Sequence, residues 1–310
     1  MDFKNAKELL DFCQKLNCPI SDIMKQRECT LAETSLEDIY AKMDHALSIM
    51  RESASSPIQE PKKSIGGLIG GEARLADLHR ARGAAICGSV LSRAITYSMA
   101  VLETNTSMGL IVAAPTAGSS GIVPGLLLAL QEEYSIPDSR VIDALFNAGA
   151  IGYLAMRNAT VAGAVGGCQA EVGVASAMAA SAAVELMGGT AKQCLNAASS
   201  VLMNLLGLVC DPLGGLVECP CQGRNAAGAA VALTAAELAL SGIRQLIPFD
   251  EMRPCTVWED SCPLTCAKQR WADVRPRPQG RRWGAGRVPA VRNYANYPIF
   301  WNPWNTGLPV

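Results

Sequence analysis

Apolar residues recur every three or four positions along most of the chain, and strict alternation is scarce. That spacing predicts helices rather than strands. Leu9, Leu10, Phe12, Cys13 and Leu16 keep it near the N-terminus. Leu36, Ile39, Tyr40, Met43, Leu47 and Met50 keep it again behind Thr34-Ser35, residues suited to capping a helix start. Residues 1–60 therefore read as a helical lead-in, with the Ser-, Pro- and charge-rich run 53–63 as a linker. From 61 to 252, long Ala/Leu/Val stretches are broken by glycines at Gly66-Gly67, Gly70-Gly71, Gly118 to Gly121, Gly163 to Gly167 and Gly214-Gly215. The expected helices cover 73–101, 121–134, 139–155, 172–187, 191–208 and 224–246. The pattern predicts a mainly α fold, a bundle of Ala-rich helices with Gly-rich connecting turns. Glycine lets backbone approach a ligand closely, so the breaks suggest a site built from helix ends. Past residue 252 the periodicity stops. All five Trp and eight of the 17 Pro lie there, and nine Lys/Arg face only Glu259, Asp260 and Asp273. This stretch, 253–310, is expected to be a disordered tail.

Composition narrows the picture. Of 310 residues, 49% are hydrophobic but only 5% aromatic, so the core is made of small side chains and most of the chain is not intrinsically disordered. A formal net charge of −1 gives no field for nucleic acid. Between Val161 and Cys210 the charged residues are Glu171, Glu185 and Lys192. The best apolar run, Val172 to Met187, is too short to span a bilayer and carries Glu185, so it reads as a buried core helix with no membrane role. Met1 to Leu16 is polar, without the apolar stretch of an export signal, and a cytoplasmic location is expected.

Candidate chemistry sits at the breaks. Cys168, Cys210, Cys219 and Cys221 lie among 12 cysteines. They are either buried thiols beside glycine turns or ligands for a soft metal or an iron–sulfur cluster, and spacing alone leaves both open. Zinc would call for histidine, yet His45 and His79 are distant in sequence. The segment Ala113 to Gly125 holds Thr116, Gly118, Ser119 and Ser120 before an apolar run. It reads either as an anion site or as an ordinary helix cap. Ser64 to Glu72 is similar and lacks the lysine of a Walker loop, and Asn105-Thr106-Ser107 reads as polar site groups or as a turn. Lys62, Lys63 and His79 read as solvated, and no general base stands out.

Together these residues resemble one family, the α chain of iron–sulfur-dependent L-serine dehydratase (L-serine ammonia-lyase). The resemblance rests on Ser64 to Ala73, Asn105 to Gly125, Asn147-Ala148-Gly149, Val161 to Gly173, and Leu208 to Pro212 through Cys221 to Asn225. Gly66, Ile69 and Glu72 depart mildly from the family wording. The resemblance implies a 4Fe-4S cluster on Cys168, Cys210 and Cys221, with no role for Cys219. It implies β-elimination from L-serine to pyruvate and ammonia. The substrate contacts would come from Thr116, Gly118, Ser119 and Ser120, and more weakly from Ser64 and Asn105. It also implies a separate β chain as partner, which would supply the base. Family α chains end in Arg-Glu-Thr-Ala-Leu-Gly-Gly and Ala-Thr-Pro-Thr-Gly stretches. Cys266 to Gly280 can encode both when read from the last base of each codon, with suitably chosen third bases. A one-base deletion near Arg253 would thus place 253–310 out of frame. The second reading is a non-catalytic or inactive subunit that lost its native C-terminus. Sequencing the gene across the codon for Arg253 is expected to show that one added base restores the family ending. If no shift restores it, the out-of-frame reading is wrong.

Overall fold

The computed structural model describes residues 2–252, which form ten α-helices and no strand. The expected disordered, out-of-frame tail lies outside the described residues. The helices are α1 (Ala6–Leu16), α2 (Ile20–Ala32), α3 (Leu36–Gln59), α4 (Glu72–Ala81), α5 (Gly88–Thr106), α6 (Ile122–Tyr134), α7 (Asp138–Asn158), α8 (Gly163–Leu186), α9 (Ala191–Leu205) and α10 (Cys221–Leu240). Helix α8 is the centre. Every residue from Val172 to Leu186 is buried, and α6, α7, α9 and α10 pack around it. Its Ala, Ser and Gly side chains make this possible, because little stands between the axes. A Cβ added to Gly228 of α10 would lie 2.7 Å from Ser176 Oγ of α8 and 2.8 Å from Ile122 Cδ1 of α6. No described helix is long and apolar enough to cross a membrane.

Local signals explain the better-placed helices. Ser35 caps α3 in a reciprocal box: its hydroxyl accepts from the Asp38 amide at 3.1 Å, and the Asp38 carboxylate accepts from the Ser35 amide at 3.4 Å. Thr190 and Gln193 do the same at the start of α9.

Several boundaries differ from the sequence reading. The single helix expected over 73–101 is two, because Gly83 and Gly88 take φ of +70° and +73° and turn the chain between them. The linker expected over 53–63 is helical as far as Gln59. Pro57 lacks the N–H that would meet the Ser53 carbonyl, and that carbonyl instead accepts from the Thr104 hydroxyl of α5 at 2.8 Å. Helix α2 was not expected at all; its inner face includes the polar Ser21 and Arg27, which blurs the apolar stripe. Arg27 is buried against aromatic rings, its guanidinium carbon 3.7 Å from the Tyr153 ring centre, and its Nε donates to Asp2 at 2.9 Å. Helix α8 begins at Gly163, ahead of the expected 172, while α9 stops at Leu205 and α10 runs from Cys221 to Leu240.

The close crossing of α8 and α10 sets an asymmetric expectation. Gly228→Ala should destabilise the fold by about 1–3 kcal/mol, the usual range for overpacking. Gly223→Ala, in the same helix with open space at its Cβ, should stabilise it by about 0.5–1 kcal/mol. Denaturant unfolding of both variants checks this, and equal effects would show that the crossing is not tight.

Candidate functional site

Three cysteine-bearing segments meet where α8 and α10 begin. Gly167 (φ +74°, ψ 179°) interrupts the first turns of α8, so the continuous helix starts at Cys168. The next amide, Gln169 N–H, donates to the Leu208 carbonyl at 2.8 Å and lays residues 208–210 along that helix start. A Cβ on Gly167 would stand 3.0 Å from the same carbonyl, a close approach that glycine permits. Cys221 is the first residue of α10. One turn on, Arg224 ties the segments together: Nη1 donates to Cys168 Sγ at 3.3 Å and to the Val209 carbonyl at 3.0 Å, and Nη2 lies 2.6 Å from Asp211 Oδ1.

Burial pushes the Cys168 thiol up to about 12; Cys210 and Cys221 add to this and Arg224 opposes it. Burial likewise pushes Cys221 up to about 11, with Glu171 and Cys210 adding. Each thiol thus feels its neighbours. Among the described residues, no three His, Cys, Asp or Glu side chains are grouped as ligands of one metal ion. Three thiolates on a cluster each bind a different iron and stand wider apart than ligands of one ion. This all-sulfur donor set, convergent at two helix starts, fits such a group.

The two expected anion-binding segments flank the cysteines, and each holds a carboxylate of the chain itself. At the first, Glu218 accepts from Ser64 Oγ at 2.7 Å, the Gly66 amide at 2.6 Å and the Leu68 amide at 3.1 Å. At the second, the Thr116 hydroxyl donates to Glu171 and also lies 3.0 Å from Ser119 Oγ. Ser119 and Ser120 are fully buried, and Ser120 Oγ donates to the Ala117 carbonyl at 2.8 Å. Asn105 donates to that carbonyl too, at 3.2 Å. Asn225 holds the other side of the turn, donating to the Gly118 carbonyl at 2.8 Å and accepting from the Gly121 amide at 3.0 Å. Residues 216–218 bridge the two segments: a Cβ on Gly66 would meet Leu216 and Glu218, and one on Gly118 would stand 3.1 Å from Val217 Cγ1.

Cys168, Cys210 and Cys221 therefore come together, with Thr116 and Gly118 linked to them through Glu171. Ser64 and Asn105 approach through loop contacts. Sequence reasoning missed Glu171, Glu218, Arg224 and Asn225. A signal existed for two of them: Glu171 follows Cys168, and Arg224 follows Cys221, by three residues, which puts each on its cysteine's helix face.

The fold and site define an all-α protein with a three-thiol centre set between two helix starts. Residues 15–256 match the family described as serine dehydratase alpha chain. The chain is 46% identical over 250 residues to the "Probable L-serine dehydratase, alpha chain" of Bacillus subtilis (strain 168), covering 81% of this chain and 83% of that one. It is 42% identical over 247 residues to the "L-serine dehydratase, alpha chain" of Peptoniphilus asaccharolyticus, covering 80% and 85%. A "Probable L-serine dehydratase, alpha chain" of Latilactobacillus sakei is 49% identical over 163 residues, covering 53% and 78%. The chain belongs to the serine dehydratase α-chain family.

Glu218 generates a prediction of its own. Glu218→Ala leaves Ser64, Gly66 and Leu68 without their acceptor and should cost about 3 kcal/mol, roughly one per lost bond. Hydrogen exchange should speed up at the Gly66 and Leu68 amides. Unchanged protection there would show that the carboxylate does not hold the loop.

Proposed function

We propose that this chain is the catalytic α subunit of an L-serine dehydratase, eliminating water from L-serine to give 2-aminoacrylate, which tautomerises and hydrolyses to pyruvate and ammonia. The observation that carries this is the convergence of Cys168, Cys210 and Cys221 beside the Thr116–Ser120 turn. These three thiolates would hold a four-iron, four-sulfur cluster, with no part for Cys219. When bound, that group supplies an iron without a protein thiolate, a Lewis acid for the leaving hydroxyl.

The chain's own residues prepare the place. Arg224 sets a fixed positive charge on Cys168 and favours its ionised form. Thr116 and Gly118, which meet the Glu171 carboxylate, are assigned to the lining of the substrate pocket. Ser119, Ser120 and Asn105 act by fixing the turn from which they project, as Asn225 does from α10. Ser64 acts through Glu218, which lies three residues before Cys221 and keeps the loop ahead of α10 in register. No described residue is assigned as the α-proton base, and a separate β chain is the proposed source of that group. The relatives named α chains support such a partner.

The full chain, prepared without oxygen and reconstituted with iron and sulfide, should bind about four irons. Cys168→Ala should bind far less. Mixed with the β chain, the loaded wild type should convert L-serine to pyruvate. No iron in the wild-type protein would leave the cysteines as plain core thiols and overturn the proposal.

A further inference from the structure

Glu171 is not explained by cysteine ligation, and its surroundings suggest a role. It is half-buried, one helical turn beyond Cys168 on α8. Its Oε1 accepts from the Thr116 hydroxyl, and Oε2 accepts no hydrogen bond among the described residues. Glu171 also forms no ion pair among them; the nearby guanidinium, Arg224, is already engaged by Cys168, Val209 and Asp211. The space around the carboxylate is kept clear by two glycines. A Cβ on Gly118 would come within 2.5 Å of Oε1, and one on Gly163 within 2.6 Å of Oε2. The carboxylate is near enough to Cys221 for its charge to oppose ionisation of that thiol.

This is a local excess of negative charge with one carboxylate oxygen unclaimed. Leaving such a carboxylate uncompensated in a partly desolvated site is costly, and a small cation with hydrogen-bond donors relieves it. An amino-acid substrate carries one, its α-ammonium group.

We propose that Glu171 is a substrate-binding residue that holds the α-ammonium group of the amino acid and so selects amino acids over hydroxy acids of the same shape. The proposal rests on the serine dehydratase reading and adds to it a residue and a basis for specificity. Thr116, by donating to Oε1, fixes the carboxylate so that the remaining oxygen meets the ammonium.

Two unreactive probes separate the groups of serine: L-alanine keeps the ammonium and lacks the hydroxyl, whereas 3-hydroxypropanoate keeps the hydroxyl and lacks the ammonium. Their binding to the full iron-loaded chain is measured by calorimetry, beside the iron content. Glu171→Gln is expected to weaken L-alanine by about tenfold or more, the loss of a charge-assisted bond, and to leave 3-hydroxypropanoate and the iron content unchanged. Glu171→Asp, which keeps the charge, should retain part of the preference for L-alanine. Equal weakening of both probes, no weakening of either, or no binding of L-alanine by the iron-loaded wild type would overturn the proposal. Loss of iron from both variants would also overturn it, by making Glu171 a support of the thiol centre. A wild-type chain that takes up no iron marks the separate failure of the dehydratase reading.

Discussion

Clusters of backbone amides that no local side chain caps are met here by carboxylates from far along the chain, and the arrangement of the helices depends on them. The first amides of a helix have no partner within it and need an acceptor. Asp250 accepts from Ala6 and Lys7 at the start of α1, at 2.7 and 3.0 Å. Glu185 accepts from Ile20 and Ser21 at the start of α2, where Pro19 offers no cap. Glu103 accepts from Gly71 and Ala73 at the start of α4, at 3.1 and 2.9 Å, again where no side chain caps locally. Glu218 does the same for the Gly66–Leu68 loop. Burial pushes Glu185 and Glu103 upward, and the amides that bind them pull the other way. Each carboxylate and its amides would be costly alone in the interior, so the lead-in and the central bundle complete each other.

The thiol centre is fastened by the same means. Cys221 lies between Glu218, bound to the Ser64 loop, and Gln222, whose side-chain Nε2 donates to Glu103 at 3.0 Å. Glu103 in turn holds the start of α4. The loop 64–73 and the start of α10 are therefore linked through two buried carboxylates. Asn225, one turn further along α10, extends the connection to the Thr116–Gly121 turn. A disturbance in any of these segments is felt at Cys221 through hydrogen bonds that leave little slack in a close-packed interior.

Much of this was legible from the residues. The three-to-four spacing announced the helices, Ser35 announced the start of α3, and the cysteines at glycine breaks do converge. Residue types at Ser64 and Thr116 marked segments rich in donors, and each hydroxyl donates to a carboxylate, joined at the first by the Gly66 and Leu68 amides. That the anion belongs to the chain was hidden, because Glu218 lies 154 positions from Ser64 and Glu171 lies 55 from Thr116. No periodicity connects residues so far apart; only the folded path does. Helix α2 escaped notice for a related reason. Its inner face carries Arg27, whose charge is tolerated by Asp2, Glu28 and the Tyr153 ring, none of which a hydrophobic pattern reveals.

The thiols themselves sit in a balance of opposing forces. Cys168 and Cys221 stand at helix starts, where the dipole favours a thiolate, and Arg224 adds a full positive charge to Cys168. Burial and mutual repulsion act against ionisation and prevail, holding both thiols near 12 and 11. A shared cation would remove that repulsion, because one cationic centre turns three competing charges into three attractions. The helix starts and Arg224 then act in the same direction as the cation. A pocket with burial alone would resist such a group, and one with exposed thiols would leave them open to oxidation. The geometry around Cys168 and Cys221 lies between these cases: burial shields both thiols, and Arg224 stands beside Cys168 where it favours the thiolate.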